Sequence, residues 1–158
     1  MSHLFATAGA KLFIGGVKAF NGTDFTEADF NGTSWVEIGG TTNLGTVGDT
    51  AELITSNHIS ENRTRKAKGT RNSGAMQVIA DLDYADAGQI AVIAAEKKST
   101  TYAFKLQFND APEGGTPSAR YFVAMVMSAA EQLDEANNTM KLNATLELDS
   151  NIARVNAA

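Results

Sequence analysis

The chain has 158 residues, of which 43% are hydrophobic and 20% are charged, and its net charge is −5. These values suit one domain over residues 1–158, and they exclude wholesale disorder, a collagen-like chain and a coiled coil. Because cysteine is absent, disulfides, Cys-ligated zinc and thiol catalysis are excluded as well. No apolar run approaches the ~18 residues that a membrane helix needs, so we expect no membrane association.

The positive charge is concentrated in one short segment. Eleven residues between Glu61 and Arg71 contain five of the 13 basic residues, whereas the other 147 residues carry eight basic and 17 acidic groups. The five cations are Arg63, Arg65, Lys66, Lys68 and Arg71. An acidic body with one cationic segment is poorly suited to tight nucleic-acid binding, because affinity for phosphates grows with the number of cations presented.

Hydrophobic periodicity predicts a mainly β protein with one helix. Strict alternation of apolar and polar residues, as over 75–83 and 139–149, is typical of a strand with one buried face. The segment 120–128 is almost wholly apolar, which predicts a strand covered on both faces. We therefore expect a β-sandwich or half-barrel of about six to seven strands with one flanking helix. The strands are predicted at 10–16, 35–38, 52–60, 75–83, 101–108, 120–128 and 139–149.

The single helix is predicted over 84–98. Asp86 and Gln89 have the spacing of a capping box, in which two side chains satisfy the free N–H groups of the first turn. Ile90, Ile93, Ala94 and Lys97 recur at helical intervals.

Three segments are predicted to lie outside the regular elements. Residues 59–74 form a long basic hairpin loop, since ordinary hairpin loops have only 2–5 residues and a longer one usually has a function. Residues 20–34 form an excursion with Asn-Gly turns at 21–22 and 31–32. Residues 149–158 form a C-terminal arm.

The sequence does not support an enzymatic function, because the side chains that the common catalytic and cofactor-binding motifs require are missing. The only histidines are His3 and His58, and neither completes a nucleophile–base set. The segment 40–46 has the glycine spacing of a phosphate loop, but Thr46 stands where the lysine is needed. Aspartates at 81, 83 and 86 lack the pattern of a calcium loop. We expect no enzyme, no cofactor and no metal site.

Three interpretations of the basic segment remain open, and two of them concern the hairpin itself. It is either a solvated, flexible hairpin tip or a cationic element that docks on an acidic surface. Since the rest of the chain is acidic, a second copy of the same chain is a natural target, and such a head-to-tail contact propagates into rings or filaments. The third interpretation is a small RNA- or DNA-binding module. It is less favoured because residues 61–71 contain no aromatic side chain on which bases would stack.

Several runs together resemble the tail tube proteins of long-tailed bacteriophages, over roughly residues 10–150. The order and spacing of the runs carry the resemblance, and no single motif does. Two departures are the 20–34 insertion and the lack of an appended immunoglobulin-like domain. The similar runs are WVEIGG at 35–40, the glycines at 45 and 48, AELI at 51–54, RKAKG at 65–69, DAGQ at 86–89 and TYAFKL at 101–106.

The resemblance implies a structural virion protein, made in the host cytoplasm, whose hexameric rings stack into a tube that conducts DNA. It implies contacts with tail initiator, tape measure and terminator proteins, and passage of double-stranded DNA without specific binding. The tube of a contractile tail or of a type VI-like secretion system is the alternative. The five cations are then predicted to lie between rings. The residues predicted to line the lumen are Glu52, Gln77, Asp81, Asn143, Thr145 and Glu147.

Overall fold

The computed structural model describes residues 4–158, so His3 lies outside the described part of the chain. Its elements are ten strands, one α-helix and a 3₁₀ turn at Glu27–Phe30. The strands are β1 (Lys11–Val17), β2 (Val36–Glu37), β3 (Thr41–Asn43), β4 (Thr50–Ser56), β5 (Arg65–Asn72), β6 (Ala75–Asp81), β7 (Tyr102–Gln107), β8 (Ala119–Gln132), β9 (Lys141–Leu148) and β10 (Ala153–Val155). The helix is α1 (Ala87–Glu96).

Eight of these strands form one open antiparallel sheet in the order β2-β1-β7-β8-β9-β6-β3, with β10 paired to β8. The sheet does not close on itself, and its terminal strands β2 and β3 have only two and three residues. The predicted class, mainly β with one flanking helix, is confirmed. The number of strands exceeds the predicted six to seven because β5 carries no apolar alternation, and β3 and β10 have only three residues each, too few for a pattern to be recognised.

The alternation predicted for β6 and β9, which are neighbours in the sheet, is observed. β6 pairs with β9 from Ala75 opposite Glu147 to Asp81 opposite Lys141. Side chains of one face, such as Met76 and Leu146, are almost completely buried, and their neighbours point away from the core. The main core lies on that buried face, between the curved sheet and α1.

The helix spans Ala87–Glu96 rather than the predicted 84–98, and two aspartates determine where it begins. Asp83 accepts a hydrogen bond from the N–H of Ala85 at 3.0 Å, which makes a turn before the helix. Asp86 then caps α1 by accepting from the N–H of Gln89 at 2.9 Å. The return half of the predicted capping box is absent, since the Gln89 side chain bonds instead to Gly39, Asp81 and Asp83.

The regularly spaced residues of α1 are not the ones that face the core. Val92 and Ala95 are buried against the sheet, together with Gly88 and Gln89. Ile90 is 52% exposed. The helix is apolar on nearly every side, so the pattern did not distinguish its inner face from its outer one.

The excursion covers the outer face of β7 and β8. Phe25 and Phe30 are buried there against Ala103 and Val123. Asn151 holds the excursion in place: its Oδ1 accepts from the N–H of Phe25 at 2.7 Å, and its Nδ2 donates to the carbonyl of Phe25 at 3.0 Å. The first part of β8, up to Val126, is therefore covered on both faces, as the almost wholly apolar segment 120–128 predicted.

Two segments predicted as irregular contain strands. Within 59–74, residues Arg65–Asn72 form β5, so the loop of the hairpin is confined to 57–64. In the arm 149–158, Ala153–Val155 pairs with β8 as β10. β5 has no alternating apolar residues and β10 has only three residues, so neither shows the longer alternation from which a strand is predicted.

Candidate assembly interface

Strands β4 and β5 form a two-stranded sheet that is separate from the main sheet. We call residues 50–72, with the turn 57–64 between the strands, the basic hairpin. Its strands pair from Thr50 opposite Asn72 to Ser56 opposite Arg65, and they pack chiefly against each other. Nearly every residue on both faces is exposed. An isolated two-stranded ribbon is only marginally stable in water, because no third element packs against it. The basic hairpin is close to this case, since β4 and β5 contact chiefly each other.

One face of the basic hairpin combines cations with an aliphatic residue. Ala51 lies opposite Arg71, and Leu53 lies opposite Lys68, so these side chains share a face. Lys66 lies on the same side, two residues along β5 from Lys68. Leu53 is 67% exposed. Water therefore reaches apolar and cationic groups on the same surface.

Two of the five predicted interface cations are engaged within the chain. Arg65 contacts Glu61 at 3.3 Å, and Arg71 contacts Asp49 at 2.9 Å. Arg63, Lys66 and Lys68 form no ion pair with any residue of 4–158. These last three cations are available to another molecule.

A small polar cluster fixes the base of the basic hairpin to the body. Asp49 accepts from the Nε of Arg71 at 2.9 Å and from the hydroxyl of Ser73 at 3.4 Å. The Ser73 hydroxyl also lies 2.6 Å from the carbonyl oxygen of Ser150. The hairpin therefore leaves the body at a defined point, next to the start of β6. Asp49 and Ser73 were not predicted from the sequence, because partners 22 and 77 residues apart leave no local signal.

Five of the six predicted lumen residues share one face of β6 and β9, the face turned away from the main core. Gln77 donates to Asn143 at 3.1 Å and accepts from Thr145 at 2.9 Å. Asn143 in turn donates to Gln132 of β8 at 2.6 Å. These side chains therefore provide one another with hydrogen-bond partners across β6, β9 and β8. Glu147 lies on the same face, and Glu52 lies apart from it, on the basic hairpin.

Asp81 and Lys141 form the one ion pair of this polar face among the described residues. Lys141 donates to Asp81 at 2.8 Å, and the hydroxyl of Thr139 donates to the same carboxylate at 3.1 Å. These hydrogen bonds, that from Lys141 first, lower the pKa of Asp81 from its ordinary value. Both charges of the pair are thereby compensated locally.

The connection between β8 and β9 is acidic and partly apolar at its surface. We call residues 131–140 the acidic tip. It contains Glu131, Asp134 and Glu135 and no basic residue, and Leu133 and Met140 are 55% and 56% exposed. This segment was not among the candidate sites predicted from the sequence, although its run of acids without a base was a visible signal.

Two further observations concern features that the described residues do not contain. Within residues 4–158, no helix is long and apolar enough to cross a membrane. Nor does that part of the chain bring three His, Asp or Glu side chains together in a group that would hold a metal ion.

Comparisons with known proteins give a likeness in structure alone. No family model matches the chain, and no curated protein matches it in sequence. A chain of the 6-fold symmetrised cryo-EM structure of the anti-feeding prophage baseplate is similar with a TM-score of 0.72 at 12% identity, over 99% of this chain and 98% of that one. The SPP1 tail tube, solved by solid-state NMR and cryo-EM, is similar with a TM-score of 0.60 at 14% identity, over 93% of this chain and 76% of that one. The chain therefore has a phage tail tube-like fold.

Proposed function

We propose that this chain is a structural virion protein, the subunit of a bacteriophage tail tube whose hexameric rings stack into a conduit for DNA. The observation that carries the proposal is the similarity in fold, over almost the whole chain, to a chain of a 6-fold symmetrised baseplate and to a tail tube. On this proposal the protein is not an enzyme. Its partners are further copies of itself and the initiator, tape measure and terminator proteins of the tail.

The open sheet supports assembly. Strands at the margin of an open sheet present unpaired backbone N–H and C=O groups, and proteins commonly cover them or pair them with another chain. Here the marginal strands β2 and β3 are so short that each pairs with only two residues of its seven-residue neighbour, β1 or β6, and most of the outer side of β1 and β6 has no partner strand among the described residues. The basic hairpin pairs only within itself. Pairing between neighbouring subunits would satisfy these groups and close a barrel around a central channel.

The polar face of β6 and β9 supports a channel through which DNA slides. Its amide and hydroxyl groups already bond to one another, and its cation Lys141 is paired with Asp81. Phosphates would meet few free donors and the carboxylate of Glu147, so few counterions would be released and binding would be weak. The lumen assignment of Gln77, Asp81, Asn143, Thr145 and Glu147 is part of this proposal.

Electron microscopy of the purified full-length protein tests the proposal. Negatively stained samples, over a range of concentrations and with or without tail initiator protein, are expected to contain rings or hollow tubes. Compact monomers under every condition would contradict it.

A tube or baseplate-proximal component of a contractile tail or a type VI-like secretion system is the second candidate. The observation that favours a baseplate-proximal position is extent: this chain covers 98% of the anti-feeding prophage baseplate chain but 76% of the SPP1 tail tube chain. A gene for a contractile sheath next to the gene for this protein would favour this candidate, and a tail operon without a sheath would favour the first.

A nucleic-acid-binding role for the basic hairpin is separable by its dependence on salt. Binding through phosphates weakens steeply as salt rises, because it depends on counterion release. Filter binding of duplex DNA and of RNA to the protein at two salt concentrations is expected to give weak retention at both. Tight retention at low salt that disappears at high salt would favour the binding module.

A further inference from the structure

The basic hairpin and the acidic tip lie at opposite ends of the strand pair formed by β6 and β9. The basic hairpin joins the start of β6 through Ser73 and Gly74. The acidic tip lies beside the end of β6, where the N–H of Leu82 donates to the carbonyl of Met140 at 2.9 Å. β6 has seven residues, so the two attachment points are separated by about 20 Å along the strand direction.

The two elements match in charge. The basic hairpin carries five cations against the carboxylates of Glu52 and Glu61, and three of those cations have no ionic partner within residues 4–158. The acidic tip carries three carboxylates, none of which is in an ion pair in that same range. Opposite charges that face each other across an interface guide its formation and fix its register.

The two elements also match in apolar surface. Leu53 is 67% exposed on the face of the basic hairpin that also carries Lys66 and Lys68, and Ile59 in its turn is fully exposed. Leu133 and Met140 are exposed to a similar extent at the acidic tip. Single exposed aliphatic residues are ordinary, but groups of them rimmed by charge mark contact surfaces. Contact between the two elements would bury both groups.

We propose that the acidic tip of one copy of this chain receives the basic hairpin of a second copy, so that subunits stack head to tail along the direction of β6 and β9. The inference rests on the proposed function, to which it adds the receiving surface. Because the two surfaces differ, the contact is heterologous and leaves one free hairpin and one free tip at the ends of every stack. Such a contact extends without limit, as a tube requires.

Paired charge reversals test this contact. The tip variant carries Glu131→Lys and Glu135→Lys, and the hairpin variant carries Lys66→Glu and Lys68→Glu. All four side chains are exposed. Asp134 is left unchanged because its φ of 52° disfavours most other residues. A third protein combines all four substitutions. A control with Asp24→Lys and Glu113→Lys makes the same change in net charge as the tip variant, at exposed positions elsewhere.

Sedimentation and negative-stain microscopy provide the readout, with circular dichroism to verify that each variant is folded. We expect tubes from the wild type and the control, loss of tubes from the tip and hairpin variants, and recovery of tubes when both reversals are combined. Tubes from both single-surface variants, equal loss in the control, or no recovery in the combined protein would overturn the contact while leaving the proposed function standing. A wild type that never assembles would instead contradict the proposed function.

Discussion

Arg71 donates from Nε to the carboxylate of Asp49 at 2.9 Å, and this pair joins the second strand of the basic hairpin to the body of the protein. The Ser73 hydroxyl contacts the same carboxylate and the carbonyl oxygen of Ser150. These contacts hold the base of an element that is otherwise exposed on both faces. The orientation of the hairpin therefore depends on a few polar groups.

Asp49→Asn is expected to loosen the hairpin without unfolding the protein. Arg71 is 57% exposed, and solvent-exposed ion pairs contribute only about 0.2–1 kcal/mol. We therefore expect a loss of under about 1 kcal/mol in the free energy of unfolding, with faster hydrogen exchange confined to β4 and β5. Glu61→Gln, which removes the Arg65 pair at the turn, is the control and should leave exchange at the base unchanged. Exchange that stays slow at the base of the Asp49→Asn variant would show that Ser73 alone holds it.

Gln89→Leu is expected to destabilise the whole domain. The Gln89 amide is 1% exposed, and it donates to the carbonyls of Gly39 and Asp81 and accepts from the N–H of Asp83, at 2.8–2.9 Å. Leucine would leave these three backbone groups without their partner, and each buried unsatisfied group costs about 1–3 kcal/mol. Urea unfolding should therefore report a loss of at least about 2 kcal/mol.

Gln89→Glu separates hydrogen bonding from size. The carboxylate keeps the acceptor for Asp83 but places negative charge against the carbonyls of Gly39 and Asp81. Protonation removes that charge and restores one donor, so we expect this variant to approach the wild type in stability as pH falls from 7 to 4. A stability difference that does not change with pH would argue that Gln89 acts by volume alone.

Sequence periodicity predicted the elements in which one face is buried and one is not. In β6 and β9, burial follows the alternation of apolar residues, so pattern and structure agree. β5 escaped prediction because Arg65–Asn72 is exposed on both faces and has no apolar alternation. Its strand conformation comes from pairing with β4, which a one-dimensional pattern does not contain.

Long-range contacts account for the rest of what the sequence did not predict. The excursion is fixed by Asn151, which is 126 residues from Phe25. The inner face of α1 is selected by a backbone contact at Gly88 rather than by hydrophobic spacing. The five candidate interface cations were found from composition, but their division into paired and unpaired groups needed the positions of Asp49 and Glu61.

Gly88→Ala is expected to separate α1 from β2. A Cβ at this position would lie 2.1 Å from the carbonyl oxygen of Glu37 and 2.5 Å from the Cα of Ile38. Backbone atoms cannot rotate away as a side chain can, so the helix must shift. Overpacking of this kind costs about 1–3 kcal/mol, which thermal unfolding would measure. Gly48→Ala, where no atom lies within 4 Å of the new Cβ, should be neutral or slightly stabilising. Equal melting temperatures for both variants would contradict the close approach.

Asp110→Asn is expected to reduce the sensitivity of the domain to acid. Asp110 accepts hydrogen bonds from the hydroxyl of Ser118 at 2.6 Å and from its N–H at 2.8 Å, and these bonds lower the pKa of the carboxyl from its ordinary value of 3.8. Because the folded-state pKa is the lower one, the carboxylate stabilises the fold above pH 3.8, and this contribution is lost as pH falls through the folded-state value.

The Ser118 hydroxyl also accepts from the N–H of Ala157 at 2.9 Å, so the Asp110 contact supports the C-terminal arm. The Asp110→Asn variant should be less stable than the wild type at pH 7, and the difference in urea midpoints between the two should shrink as the pH falls below 3.8. Glu113→Gln, an exposed change in the same loop, controls for charge and should run parallel to the wild type. A constant difference between the Asp110→Asn variant and the wild type across this range would show that the carboxylate acts through geometry rather than through its charge.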